Sequence, residues 1–189
     1  MIAGTGWQEA WDSQIAADSA DLKTAVADLP DANSRHPMNG VTWYEASAFC
    51  AWDGGWLPTE AEWEYAAAGG SDERKYPWGS AEPSATLAAY DSTQPIPEVG
   101  SRPAGAGRYG QLDLAGSVPE WALDDWGSSA PAVCNNCAVA FGEYRGIRSE
   151  FAYTGASALR AAKRFYDSAG HFGREPSARA AGFRCARTP

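Results

Sequence analysis

Leu57-Pro58-Thr59-Glu60-Ala61-Glu62-Trp63-Glu64-Tyr65-Ala66-Ala67 is the stretch whose reading decides the fold. Thr59 followed three residues later by Glu62 is a capping box, in which each side chain satisfies a backbone N–H of the other's residue. Pro58 stops the extended approach, and Gly69-Gly70 supplies the left-handed exit that ends a helix. Trp63, Ala66 and Ala67 fall on one face at helical spacing. The stretch therefore predicts a short, sharply bounded amphipathic helix.

Working outward, Thr42 and Glu45 form a second capping box, opening a helix that carries Trp43, Ala46, Phe49 and Cys50 on one side and closes at Asp53-Gly54-Gly55. Residues 18–28 predict a third helix: Leu22, Ala25, Val26 and Leu29 recur at helical spacing and Pro30 stops it. After about residue 70, Gly, Pro, Ser and Asp break the chain into short extended pieces. The strands expected are 97–100, 119–124, 144–148, 158–164 and 182–186, with 158–164 readable instead as a helical turn. Helices first and a loop-rich β region after them give an α+β domain.

A chain of 189 residues fits one domain and is long enough to bury a core. Nine tryptophans are available to anchor its irregular segments. The net charge of −9 argues against binding nucleic acid, which needs Lys and Arg in excess on one face, and serves solubility. No apolar run reaches the roughly 18 residues a membrane span needs, so no membrane insertion is expected. The N-terminus, Met-Ile-Ala-Gly-Thr-Gly-Trp, lacks the basic and apolar regions of a signal peptide.

Four cysteines, Cys50, Cys134, Cys137 and Cys185, allow three pairings. Their even number suits an oxidising compartment, extracellular or in the cell envelope. Cys134-Asn-Asn-Cys137 has a redox and soft-metal spacing, but its Ser, Ala, Pro and Asn surroundings offer no basic neighbour to lower a thiol pKa. A local loop disulfide is the simpler reading. Gly105-Ala-Gly107-Arg-Tyr-Gly110 spells a dinucleotide fingerprint without the preceding buried strand or following helix that phosphate binding requires.

Taken with the blocks around it, the Leu57–Ala67 run resembles the formylglycine-generating enzyme family, the sulfatase-modifying factors. Upstream lie Pro37-Met38-Asn39-Gly40-Val41-Thr42-Trp43-Tyr44-Glu45-Ala46 and Phe49-Cys50-Ala51-Trp52. Downstream lie Tyr76-Pro77-Trp78-Gly79, Val99-Gly100-Ser101, Tyr109-Gly110 with Leu112-Asp113-Leu114-Ala115-Gly116, and Gly182-Phe183-Arg184-Cys185. The resemblance implies a C-type-lectin-like variant of the α+β class over residues 37–189, with 1–36 a helical lead-in and the family's N-terminal part absent. It also implies a disulfide between Cys50 and Cys185, which leaves Cys134 to pair with Cys137.

In relatives, a calcium site takes its ligands from the positions of Asp113, Gly116, Val118 and Glu120. Oxygen donors on a tight loop suit that hard cation. Here Ser117 and Pro119 stand where the family has Asn and Trp. The family's oxidase chemistry needs a cysteine pair to hold copper(I), because soft thiolates suit that ion. No cysteine occurs between Cys137 and Cys185, so no copper and no oxidase activity are expected.

The same resemblance places a substrate-peptide groove in residues 141–180, where aromatics and arginines alternate. Such side chains supply stacking, cation–π contacts and forked donors. Trp126, Arg148, Phe151, Tyr153, Arg160, Arg164, Phe165 and Tyr166 are the expected ligand-binding residues. The function expected is a non-catalytic domain binding a peptide, glycan or protein partner. A divergent formylglycine-generating oxidase or related oxidoreductase is the runner-up, and a structural module of a larger envelope protein is a third reading.

Overall fold

The computed structural model describes residues 7–15, 17, 35–92, 95–126, 138, 144–168 and 181–188. Two α-helices, α1 (Trp43–Trp52) and α2 (Glu60–Ala68), precede three strands, β1 (Glu120–Asp125), β2 (Tyr144–Arg148) and β3 (Arg164–Ser168). The strands form one antiparallel sheet in the order β1-β2-β3. Short 3₁₀ turns at Glu9–Gln14, Gly70–Asp72, Pro103–Gly105 and Ala156–Leu159 punctuate the connections. The α+β class is as expected. Among the described residues no helix is long and apolar enough to cross a membrane.

Both capping boxes form. The Thr42 and Thr59 hydroxyls accept from the backbone N–H of Glu45 and Glu62, whose carboxylates accept in return from the capping residues' N–H groups. Gly69, at φ 72°, closes α2 in the left-handed conformation.

The main core is built around two tryptophans with no exposed surface. Trp43 on α1 donates its indole N–H to the Ala122 carbonyl at 2.8 Å, and Trp121 on β1 donates to the Val41 carbonyl at 2.9 Å. Each indole thus clamps the other's segment while satisfying its own polar atom, as a buried tryptophan must. Leu57, Leu123, Ile147 and Ala181 complete this cluster, and Phe165 packs against its edge.

The C-terminal segment closes the core. Gly182 bridges Glu120 and Ala186 bridges Trp56, while Cys50 and Cys185 form a disulfide with their Cα atoms 5.4 Å apart. This is the pairing the family resemblance implies. Cys134 and Cys137, and the helix expected over 18–28, lie outside the described residues.

Three strand expectations are corrected. Residues 97–100 end in a turn, with the Ser101 N–H donating to the Glu98 carbonyl. Residues 158–164 begin within the 3₁₀ turn Ala156–Leu159, and the strand starts only at Arg164, where pairing with Arg148 becomes possible. Residues 182–186 make two isolated bridges rather than a continuous ladder.

Candidate functional site

The register of β2 and β3 sets the candidate face. Gly146 pairs with Tyr166 and Arg148 with Arg164, so these residues share one side of the sheet, while Ile147 and Phe165 share the other. A Cβ on Gly146 would lie 2.7 Å from the Glu60 carboxyl carbon. The missing side chain is what lets the first residue of α2 rest on the sheet. Glu60 is fixed at its other end by its backbone N–H, which donates to the Asp124 carboxylate at 2.6 Å.

Around Glu60 stands an aromatic platform. The Trp126 N–H donates to the Tyr144 carbonyl at 3.0 Å, extending the β1–β2 pairing by one residue. Its ring stacks on Tyr166 with centroids 4.9 Å apart, and Tyr144 meets Tyr166 edge-on at 5.5 Å. The Arg164 guanidinium lies 4.2 Å from the Trp126 ring centroid and pairs with Glu60, its Nε–H donating at 3.1 Å. Tyr144 and Tyr166 are 44% and 49% exposed, so the stack is open to solvent while its polar edge is already organised. Burial pushes the Glu60 carboxyl above the ordinary carboxylate value, although Arg164 and Arg148 pull the other way.

Of the residues expected to bind ligand, the structure brings Trp126, Arg164 and Tyr166 together. Arg148 shares their face but is 1% exposed. Its guanidinium donates to Glu64 and to the Ala161 carbonyl, both at 2.9 Å, and lies 5.0 Å over the Trp63 ring. It is a buried tie between α2 and the sheet and does not reach solvent. Phe165 points to the core side. Phe151 is buried and stacks at 4.9 Å on exposed Tyr153, beyond the end of β2 and apart from the platform. Arg160 is exposed and makes no ion pair among the described residues.

Sequence reasoning missed Tyr144 and Glu60 as members of the face. The available signal was Gly146, a side-chain-free position in the middle of a strand, which often marks close approach by another group.

The loop from Asp113 to Glu120 does not fit calcium. Glu120 is 5% exposed, and its Oε2 accepts from Trp63 Nε1 at 2.7 Å and Arg184 Nε at 2.5 Å, while Oε1 accepts from Arg184 Nη2 at 2.5 Å. Nitrogen donors thus take up the carboxylate that calcium would need. Asp113 Oδ2 accepts from the Gly100 N–H at 2.6 Å, and the Gly116 carbonyl accepts from the Ser149 hydroxyl at 3.2 Å. Val118 is buried against this loop at 5% exposure. Among the described residues no three His, Cys, Asp or Glu side chains converge as a metal set.

Among the described residues the cysteines are Cys50 and Cys185, and both are joined in the disulfide, which leaves no thiol pair there for copper(I).

Comparison with known proteins places this geometry. Hercynine oxygenase from Mycolicibacterium smegmatis is 38% identical over 140 residues, covering 67% of this chain and 32% of that protein. The formylglycine-generating enzyme of Thermomonospora curvata is 36% identical over 115 residues, 54% of this chain and 37% of that one. The chain therefore spans about a third of the length of these relatives. Among solved structures, Treponema denticola variable protein 1 superposes with a TM-score of 0.64 at 25% identity, covering 86% of this chain and 76% of its own. The sulfatase-modifying factor enzyme 1-like domain profile matches residues 2–189, and the chain belongs to that family.

Proposed function

We propose that this domain binds a peptide or glycan on the Trp126–Tyr166 platform without itself carrying out the family's thiol-dependent oxidation. The observation that carries the reading is the solvent-exposed stack of Trp126, Tyr166 and Tyr144 flanked by the Arg164–Glu60 pair. A flat sugar face or an apolar side chain would lie on the rings, and the carboxylate and guanidinium would orient its polar groups. The same platform would serve a protein partner presenting an extended segment. The Cys50–Cys185 disulfide supports an extracellular or envelope setting.

The test is a screen of glycans and unstructured peptides against the wild-type domain and a Trp126→Ala, Tyr166→Ala double variant. A ligand held by the platform loses affinity for the variant by at least about tenfold, the loss of one hot-spot aromatic. Equal binding to both proteins would end the reading.

The names of the relatives favour one other reading, an oxidoreductase in which residues beyond this domain complete the site. Turnover of a cysteine-containing peptide to its aldehyde by purified protein would establish it in place of the first.

A further inference from the structure

The last turn of α2 carries Tyr65, and the turn at residues 107–110 lays Tyr109 against it. We propose that these two tyrosines are an oxidative modification site, joined into a dityrosine link by hydrogen peroxide and a one-electron oxidant of the haem peroxidase class. The proposal is independent of the Trp126–Tyr166 reading and uses none of its residues.

The first argument is geometry. The two rings are parallel within 7°, with centroids 6.0 Å apart. Their hydroxyls converge over Gly70, where a Cβ would lie 2.5 Å from the Tyr109 hydroxyl and 2.9 Å from both the Tyr65 hydroxyl and the carbon that bears it. A side chain at residue 70 would part the pair, so this glycine does more than follow the end of a helix. The ortho carbons flank the hydroxyl-bearing carbons, and convergence of the hydroxyls therefore brings the reacting carbons together. The Tyr65 hydroxyl, ahead of desolvation, holds the Tyr109 phenol above its ordinary pKa, as a close polar neighbour should.

The second argument is anchoring. The Gly110 N–H donates to the Gly107 carbonyl at 3.0 Å, and the Gly107 N–H to the Gln111 carbonyl at 2.8 Å, closing the turn that presents Tyr109. Arg108 donates to the Gly69 carbonyl at 3.1 Å and pairs with Asp72, and Arg74 Nε donates to the same carboxylate at 3.1 Å. The turn is thus fastened to the end of α2 beside both rings. Holding two reacting groups in register makes their joining a step within one chain and favours it over encounters between chains.

The third argument is access. Tyr65 is 62% exposed and Tyr109 50%, so a diffusing oxidant reaches both. A second exposed pair, Tyr144 and Tyr166, meets at 88°, and Tyr166 is stacked on Trp126. That pair lacks the parallel alignment of Tyr65 with Tyr109.

One peroxide is consumed per link. Each phenol yields one electron and its hydroxyl proton to the oxidant. The two phenoxyl radicals form one carbon–carbon bond between ortho carbons, and the hydrogens displaced from those carbons move as protons to the oxygens, restoring both hydroxyls. Two hydrogen atoms leave the protein, and hydrogen peroxide becomes two waters. The product ties α2 to the 107–110 turn and restricts the unfolded chain, as a disulfide does.

The experiment treats the dilute whole chain with limiting hydrogen peroxide and a haem peroxidase, reads dityrosine fluorescence, and maps cross-linked peptides by mass spectrometry. Wild type is expected to give chiefly a Tyr65–Tyr109 peptide pair from a single chain, two hydrogens lighter than its parts. Tyr65→Phe and Tyr109→Phe each keep the ring and lose the hydroxyl, and in each the fluorescence should fall at least about tenfold, since the aligned partner is gone. Links mapped mainly to Tyr144–Tyr166 or between chains, no dityrosine in wild type, or undiminished fluorescence in either variant would overturn the proposal. The wild-type map decides the matter should either variant misfold.

Discussion

Arg184 grips Glu120 with two parallel hydrogen bonds of 2.5 Å each, from Nε to Oε2 and from Nη2 to Oε1. Trp63 adds a third donor to the same carboxylate. Burial opposes the guanidinium's charge, but Glu120 and then Asp113 outweigh it and hold the Arg184 pKa above its ordinary value. The pair also fastens the C-terminal segment to β1.

Arg184→Met should destabilise the domain by about 3–5 kcal/mol, because it strands a buried carboxylate without its countercharge. Urea denaturation measures the loss. Adding Glu120→Gln to that variant should recover part of it, since the orphaned charge goes too. A cost below about 1 kcal/mol, the range of exposed pairs, would show that solvent reaches Glu120.

Gly116→Ala should cost about 3 kcal/mol or more. Its added methyl would sit 2.0 Å from the Ala89 carbonyl oxygen at φ 76°, combining a backbone clash with left-handed strain. A thermal melt within a degree of wild type would contradict the tight Ala89–Gly116 bridge.

Replacing Cys50 and Cys185 together by Ala should lower stability by about 2–5 kcal/mol, as expected when a crosslink closing a long loop is lost. The two cysteines stand 135 residues apart. Melting with and without reductant in a Cys134→Ser, Cys137→Ser background checks it: the protein that keeps Cys50 and Cys185 should fall to the Ala variant's midpoint in reductant, and the Ala variant should not move.

Glu60 should titrate above its ordinary value of 4.5, burial being the dominant cause. A carboxyl whose folded pKa is raised binds its proton more tightly folded than unfolded. Its contribution to stability is thus complete below 4.5 and is lost as pH rises through the folded value. The stability difference between wild type and Glu60→Gln should therefore shift against wild type across that window. Carboxyl carbon resonances report the pKa directly, and titration of Glu60 at or below 4.5 would refute the assignment.

What the sequence made legible was local. Thr59 with Glu62 and Thr42 with Glu45 define their helices within four residues, so no distant contact was needed to read them. β1 and β2 were read nearly to the residue because their segments are bounded by breakers. β3 was placed several residues early, since Ala158 to Arg164 reads equally as turn or strand and only pairing with β2 decides.

The site was less legible for the same reason. Arg148, Arg164 and Arg160 look alike in the chain, yet one is buried over Trp63, one covers Trp126 and one is exposed. Nothing local says which. The calcium expectation counted carboxylates correctly at Asp113 and Glu120, but the group that occupies Glu120 comes from 64 residues downstream. Only the tertiary fold brings Arg184 there.

The late position of that arginine has a consequence for biogenesis. During synthesis Trp121 and the Glu120 carboxylate emerge long before Gly182, Arg184 and Cys185, which complete their surroundings. Until those residues leave the ribosome, the nascent chain carries a half-built interior with an uncompensated anion. Maturation of this domain therefore waits on the Gly182–Cys185 segment, and the interval before it arrives is when a holdase chaperone would matter most.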